Sequence, residues 1–207
     1  DSNKQAISLL SEICPSAESV LCDVSDDAQV DKAVEIAISH LGRIDILVNN
    51  AGIMKSAALI NLLSDEDKRH SRELWHQVMD VNLNAIFYLS STVAAKMLST
   101  RSKGVIVNVS SLAAQGNAGQ SAYSASKAAV EALTKVWAKE LGPFGIRSVA
   151  VAPGFANTQG TSDALESRHL NEWVSKTPVG RLGEIDEVVD GILFCIENDF
   201  FNGRILK

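Results

Sequence analysis

Short β-branched apolar runs alternate along this chain with longer segments whose apolar positions recur at helical spacing. Residues 19–24, 44–48, 105–109, 146–152 and 204–206 predict strands, while 4–13 and the stretches at about 28–41, 73–99, 121–141 and 184–197 predict helices. Parallel strands need a long crossover between them, and a helix is the usual one. The alternation therefore predicts an α/β fold: a doubly wound parallel sheet between two helical layers, built as a single domain over 1–207.

Local signals sharpen several of these elements. Ser25-Asp-Asp27 is a helix-capping cluster, Val30, Val34, Ala37, Ile38 and Leu41 form one apolar stripe behind it, and Gly42 supplies the stop. Strand 105–109 is apolar almost throughout, which predicts burial on both faces. Gly104 ends the long helix before it, and Gly142-Pro143 ends the Ala- and Ser-rich helix 121–141. Residues 53–72 read as loop, 115–120 as a glycine-bearing loop, and 155–181 have no clear period.

Composition narrows the function classes. The chain has 207 residues, of which 46% are hydrophobic, enough for one sizeable core. Its net charge of -6, with no cluster of Lys and Arg, excludes a dedicated surface for nucleic acid or anionic membrane. No stretch stays apolar for the roughly 18 residues that a membrane span needs. Cys14, Cys22 and Cys195 are odd in number and lack CxxC spacing, so they predict neither a disulfide framework nor a zinc site, and they fit a reducing cytoplasm. His40, His70, His76 and His169 show no metal-ligand spacing, and no metal is expected.

The candidate chemistry lies in Tyr123-Ser-Ala-Ser-Lys127, which places a phenol and an ammonium one helical turn apart on one face. A free tyrosine has a pKa of about 10, and lowering it by about 3 units needs roughly 4 kcal/mol. A cation about 4 Å away, at an effective dielectric near 20, supplies about 4 kcal/mol. Lys127 could thus make Tyr123 a general acid or base. Ser111, at the end of strand 105–109, could hold the substrate oxygen, with Ser110 as the near alternative.

Four segments carry a resemblance that extends over the chain: Leu47-Val-Asn-Asn-Ala-Gly52, Val107-Asn-Val-Ser-Ser111, Tyr123-Ser-Ala-Ser-Lys127 and Pro153-Gly-Phe-Ala-Asn-Thr158. In this order, each after a strand or on a helix, they resemble the short-chain dehydrogenases/reductases, a Rossmann-like family. The Gly116-Asn-Ala-Gly-Gln120 segment resembles 3-oxoacyl-carrier-protein reductases in particular. The resemblance implies hydride transfer between NAD or NADP and a secondary alcohol or ketone. It implies Tyr123 as acid/base, Lys127 lowering its pKa and bonding the nicotinamide ribose, Ser111 orienting substrate, and Asn82 holding a water in the proton relay. It implies that Asp23 and Val24 meet the adenine, Asn50, Ala51 and Gly52 the adenosine ribose, and Pro153, Gly154 and Thr158 the nicotinamide end. Plainer roles stand beside these: Asp23 as a helix cap, Asn49 as a tie between strands, Gly52 as a tight turn. The expected site nonetheless gathers where doubly wound sheets bind ligands, outside the carboxyl ends of the strands.

The family opens with a strand and a glycine-rich turn of TGxxxGxG type that cradles pyrophosphate. This chain is expected to begin after that unit and after the second strand, roughly 30 to 35 residues in, with Asp1 as the candidate cofactor selector. The stretch from Gly52 to Asn82 is several residues longer than in the family, and Ala156 stands where a branched aliphatic is usual. Homodimers or homotetramers through 73–99 and 121–141 are implied. Two other readings are a catalytically silent dinucleotide sensor and an epimerase or dehydratase using the same Tyr and Lys.

Overall fold

The structure, a computed structural model, describes residues 7, 10, 12–64, 67–157, 174–175 and 177–207. Its elements in chain order are α1 (Asp27–Leu41), β1 (Ile46–Asn49), α2 (Arg72–Met79), a π-helical turn (Asp80–Asn84), α3 (Ala85–Ser99), β2 (Gly104–Val109), α4 (Ser121–Leu141), β3 (Ile146–Val151), α5 (Ile185–Glu197) and β4 (Ile205–Leu206). The four strands run parallel in the order β1-β2-β3-β4.

The strand period sorts side chains between two helical layers. Ile106 and Ile146 pack with Val34 of α1 and with Val93 and Met97 of α3. Val105, Val107, Val149 and Val151 point the other way, onto Cys195, Ile192 and Ile196 of α5. Helix α4 joins the first layer: its Thr134 accepts a hydrogen bond of 2.9 Å from Asn108 of β2, and Asn108 accepts one of 2.8 Å from Asn49 of β1. Asn49 is therefore a buried tie between strands, its plainer role. β2 is covered on both faces, as its apolar run predicts.

Caps set the helix ends. Asp26 accepts from the Gln29 amide at the start of α1, and Gly42, at φ 78°, closes it in a conformation that favours glycine. Glu184 and Glu187 form a reciprocal capping box at α5. Gly104 lies where helix and sheet approach closely: a Cβ there would stand 2.8 Å from the Asp45 carbonyl oxygen and from Sδ and Cε of Met97. Backbone cannot yield as a side-chain tip can, so Gly104→Ala is expected to cost about 2 kcal/mol, measured as a lower denaturant midpoint at constant slope.

Two expectations need correction. Residues 19–24 form no strand, because a strand exists through hydrogen bonds to a neighbour and this segment has none; Leu21 is left exposed. The helix expected over 73–99 is interrupted by the π turn, an insertion of one residue's worth of rise that hydrophobic periodicity does not reveal. Within the expected loop 53–72, an isolated antiparallel bridge joins Ile60 to Arg69, and a parallel one joins Ala57 to Gln120. The helix expected over 4–13 falls largely outside the described residues; residues 7, 10, 12 and 13 are helical.

Candidate active site

In a parallel sheet every strand delivers its carboxyl end to the same rim. Register aligns Asn49 with Asn108 and Asn108 with Ala150, so Asn50–Gly52, Ser110–Ser111 and Pro153–Gly154 leave the sheet side by side. The ladder runs on past β2: the Ser110 amide donates to the Val151 carbonyl at 2.7 Å, and the Leu112 amide to the Pro153 carbonyl at 3.1 Å. Ser111 then caps a short 3-10 turn, Leu112–Gln115, by accepting from the Ala113 amide.

Helix α4 crosses this rim and presents Tyr123 and Lys127 to it. Ser111 stands beside Tyr123 and draws the phenol's pKa down, but burial pushes it up by more. Lys127 is only 4% exposed. Its Nζ donates to the Val109 carbonyl at 2.7 Å and lies 5.8 Å from the centroid of the Tyr123 ring. Burial holds the ammonium well below the usual lysine value, at about 8. As the site stands here, desolvation therefore outweighs the stabilisation of a phenolate that the Tyr–Lys spacing leads one to expect. Ser110 faces away from Tyr123: its hydroxyl is 3.2 Å from the Lys127 carbonyl and 3.3 Å from Glu131 Oε1. Of the two serines, Ser111 is the one beside the phenol.

The π turn delivers Asn82 to the same place, fully buried. Its Oδ1 accepts from the Ile53 amide and its Nδ2 donates to the Ile53 carbonyl, both at 2.8 Å. The carboxamide is thus committed to clamping the bend after Gly52. A Cβ on Gly52 would stand 3.2 Å from Asn82 Oδ1 and 3.7 Å from Lys127 Nζ, so the bend lies hard against these two groups and a side chain there would crowd them. Asp23 is exposed and accepts from the Ser25 amide (3.0 Å) and hydroxyl (2.7 Å), which lowers its pKa. It serves a local turn at the entry to α1, with Val24 half-buried beside it. Asp23 and Val24 have no contact with Tyr123 or Lys127, and Thr158 lies outside the described residues.

Ser111 and Tyr123 open into a cavity of about 590 Å³, whose walls include Met54, Leu112, Gln120, Phe155 and Val179. Arg181 and Glu187 also line it and neutralise each other through two hydrogen bonds of 2.7 Å. Residues 155–157 close one side by pairing with Gly183. Met54, Gln120 and Arg181 escaped sequence reasoning because they belong to segments without periodicity, and Glu187 because a charge in the first turn of a helix reads as an ordinary solvent-facing position. The one available signal was the long Gly52–Asn82 stretch, which the fold brings onto Gln120.

Comparison with known proteins agrees with this architecture. A family model described as "Enoyl-(Acyl carrier protein) reductase" matches residues 1–206. The 3-oxoacyl-[acyl-carrier-protein] reductase FabG of Thermotoga maritima is 41% identical over 187 residues, which cover 89% of this chain and 72% of the relative. This chain belongs to the short-chain dehydrogenases/reductases. Gluconate 5-dehydrogenase of Gluconobacter oxydans is 34% identical over 194 residues, covering 92% and 72% of the two chains. Sorbitol-6-phosphate 2-dehydrogenase of Klebsiella pneumoniae is 35% identical over 189 residues, covering 84% and 70%. The family member described here is an oxidoreductase of the kind that interconverts CH–OH and keto groups with NAD(P)(H).

The residues present suit such a dinucleotide. An ammonium has three donors, and Lys127 spends one on Val109, which leaves donors for a ribose hydroxyl. Among the described residues, no group of His, Cys, Asp and Glu could hold a metal ion, and no helix is long and apolar enough to cross a membrane.

Proposed function

We propose that this chain, as one catalytic domain, interconverts a ketone and a secondary alcohol with Tyr123 as the general acid and base. The meeting of the Ser111 and Tyr123 hydroxyls on the cavity wall, with the Lys127 ammonium buried behind them, carries the reading. The bound dinucleotide supplies or takes up the hydride. In reduction, Ser111 donates a hydrogen bond to the carbonyl oxygen, and the Tyr123 proton moves to that oxygen as charge develops there. The phenolate left behind is stabilised by Lys127, and oxidation runs the same proton path in reverse.

Asn82 contributes by fixing Ile53 and with it the Asn50–Gly52 bend, which is assigned to the adenosine side of the cofactor, and Asn82 is also assigned to hold a water in the proton relay. Pro153, Gly154 and Thr158 are assigned to the nicotinamide end, and Asp23 and Val24 to the adenine. A 3-oxoacyl thioester is the first substrate class to test, because the Arg181–Glu187 pair leaves no net charge in the described cavity wall and FabG proteins are among the relatives. The cytoplasm suits Cys14, Cys22 and Cys195, which are all free thiols. Exposed Trp75, Phe87 and Val136 on α2, α3 and α4 suit a homodimer or homotetramer built on those helices.

The test is loss of reduced-nicotinamide absorbance with NADH and NADPH against 3-oxoacyl thioesters, ketones, sugar acids and sugar phosphates. Binding of dinucleotide with no turnover on any carbonyl would favour the silent sensor instead.

Lys127 gives a pH prediction that needs no substrate. Its folded pKa of about 8 lies below its ordinary value of 10.5, so between these values the unfolded chain holds the extra proton. Stability from this group is therefore lowest below about pH 8 and rises as pH climbs through the window. Lys127→Met is expected to remove that rise, seen as a melting-temperature difference between variant and parent that shrinks with increasing pH.

A further inference from the structure

We propose that Ser110 is a positioning residue: its buried hydroxyl holds α4 in register with β2, so that Ser111, Tyr123 and Lys127 come together. Its kinetic part rests on the function proposed above; its structural part does not.

Three consecutive residues at the end of β2 each grip α4 by a different group. The Val109 carbonyl accepts from Lys127 Nζ at 2.7 Å. The Ser110 hydroxyl lies 3.2 Å from the Lys127 carbonyl and 3.3 Å from Glu131 Oε1. Ser111 stands beside the Tyr123 phenol. A serine has one proton to give, but both of its acceptors are on the same helix, one turn apart, so either choice draws α4 to the same strand end.

Apolar packing cannot do this alone. Toward its start the helix buries small or smooth residues such as Ala122, Ser126 and Val130, and apolar contact is non-directional. A further buried hydrogen bond to β2, from Asn108 to Thr134, lies about two turns beyond Lys127 and leaves the fixing of the Tyr123 end to the strand's last residues. A hydrogen bond from a side chain that is 3% exposed supplies direction where water does not compete. Ser110 is also anchored on its other side, through its amide to Val151 of β3, so the grip is referred to the sheet rather than to a loop. Ser110 touches neither the cavity nor the phenol nor the Lys127 ammonium, which makes its contribution separable from proton transfer.

Ser110→Ala and Ser110→Thr are compared with the parent. Tyr88→Phe serves as a common background, since Tyr88 and Tyr123 are the two tyrosines of the chain. With 3-fluorotyrosine incorporated, fluorine NMR follows the Tyr123 phenol as pH is raised, whether or not a substrate is known. Ser110→Ala is expected to move the phenol's titration to higher pH and to lower kcat on the order of tenfold. Ser110→Thr, which keeps the hydroxyl, restores both. A drop in melting temperature alone, with titration and kcat per folded molecule unchanged, would make Ser110 an ordinary core hydroxyl and overturn the proposal. So would failure of threonine to restore the titration while the chain stays folded. A shifted titration in a chain that reduces no carbonyl would uphold the register role and remove the oxidoreductase reading instead.

Discussion

Replacing Tyr123 by phenylalanine should lower kcat about a thousandfold, because general acid–base catalysis by one positioned group is worth on that order. The substitution removes a single oxygen from a half-buried ring and leaves its apolar body in place, so the helix and cavity keep their shape. Dinucleotide affinity should change little, since Lys127 keeps its bond to Val109. The residual rate should come from Ser111 and from proximity, and it should lose the pH dependence that a titrating phenol imposes. The measurement is steady-state turnover beside a direct binding titration. Retention of more than about a tenth of the parental kcat would falsify the assignment, because no acid–base residue of this kind is so dispensable.

The largest expected effect on stability falls on Arg147, a residue outside the cavity. Its side chain, 12% exposed, reaches from β3 beneath the end of α5 and donates to the carbonyls of Cys195 (2.8 Å), Ile196 (2.6 Å) and Phe201 (3.0 Å). The first two belong to the last turn of the helix, whose carbonyls have no partner within it. Asp199 stands 3.7 Å away but is fully exposed, and contributes little. Arg147→Met keeps much of the volume and strips three charge-assisted hydrogen bonds, leaving acceptors unpaired at about 1 kcal/mol or more each. A loss of about 3 kcal/mol follows, or a fall in melting temperature of about 6 to 12 °C for a chain of this size. Because α5 also carries Glu187 into the cavity wall, KM for substrate should rise in the same variant before kcat falls. Calorimetry showing an unchanged melting temperature would mean that the three carbonyls find other donors.

These two residues mark the limits of what could be read from the sequence. Tyr123 was legible because its meaning is local: four residues of helix suffice to place Lys127 beside it, and the order of neighbouring motifs supplied the rest. Arg147 reads in the sequence only as a charge within an apolar strand, since its acceptors lie about fifty positions downstream and are main-chain atoms. The sheet was legible for the same reason as Tyr123, as apolar runs with a strand period. Residues 19–24 share that pattern yet form no strand, because pairing depends on a neighbour and not on the run itself. The π turn illustrates the converse. One extra residue in a helix leaves the apolar stripe nearly intact, so nothing marked Asp80–Asn84 as the place where Asn82 turns inward.

The grip of β2 on α4 has a metrical side. A strand advances about 3.3 Å per residue, so two residues cover about 6.6 Å. Four residues of α-helix cover about 6 Å. The interval from Val109 to Ser111 is therefore nearly commensurate with that from Tyr123 to Lys127, as on two scales of a vernier. A single-residue slip of the helix would turn its face by about 100° and lose every coincidence at once. The connecting loop between Ser111 and Ser121 is free of that constraint. It can carry contacts of its own, as Gln120 does with Ser56 and Ala57, without disturbing the spacing within either scale.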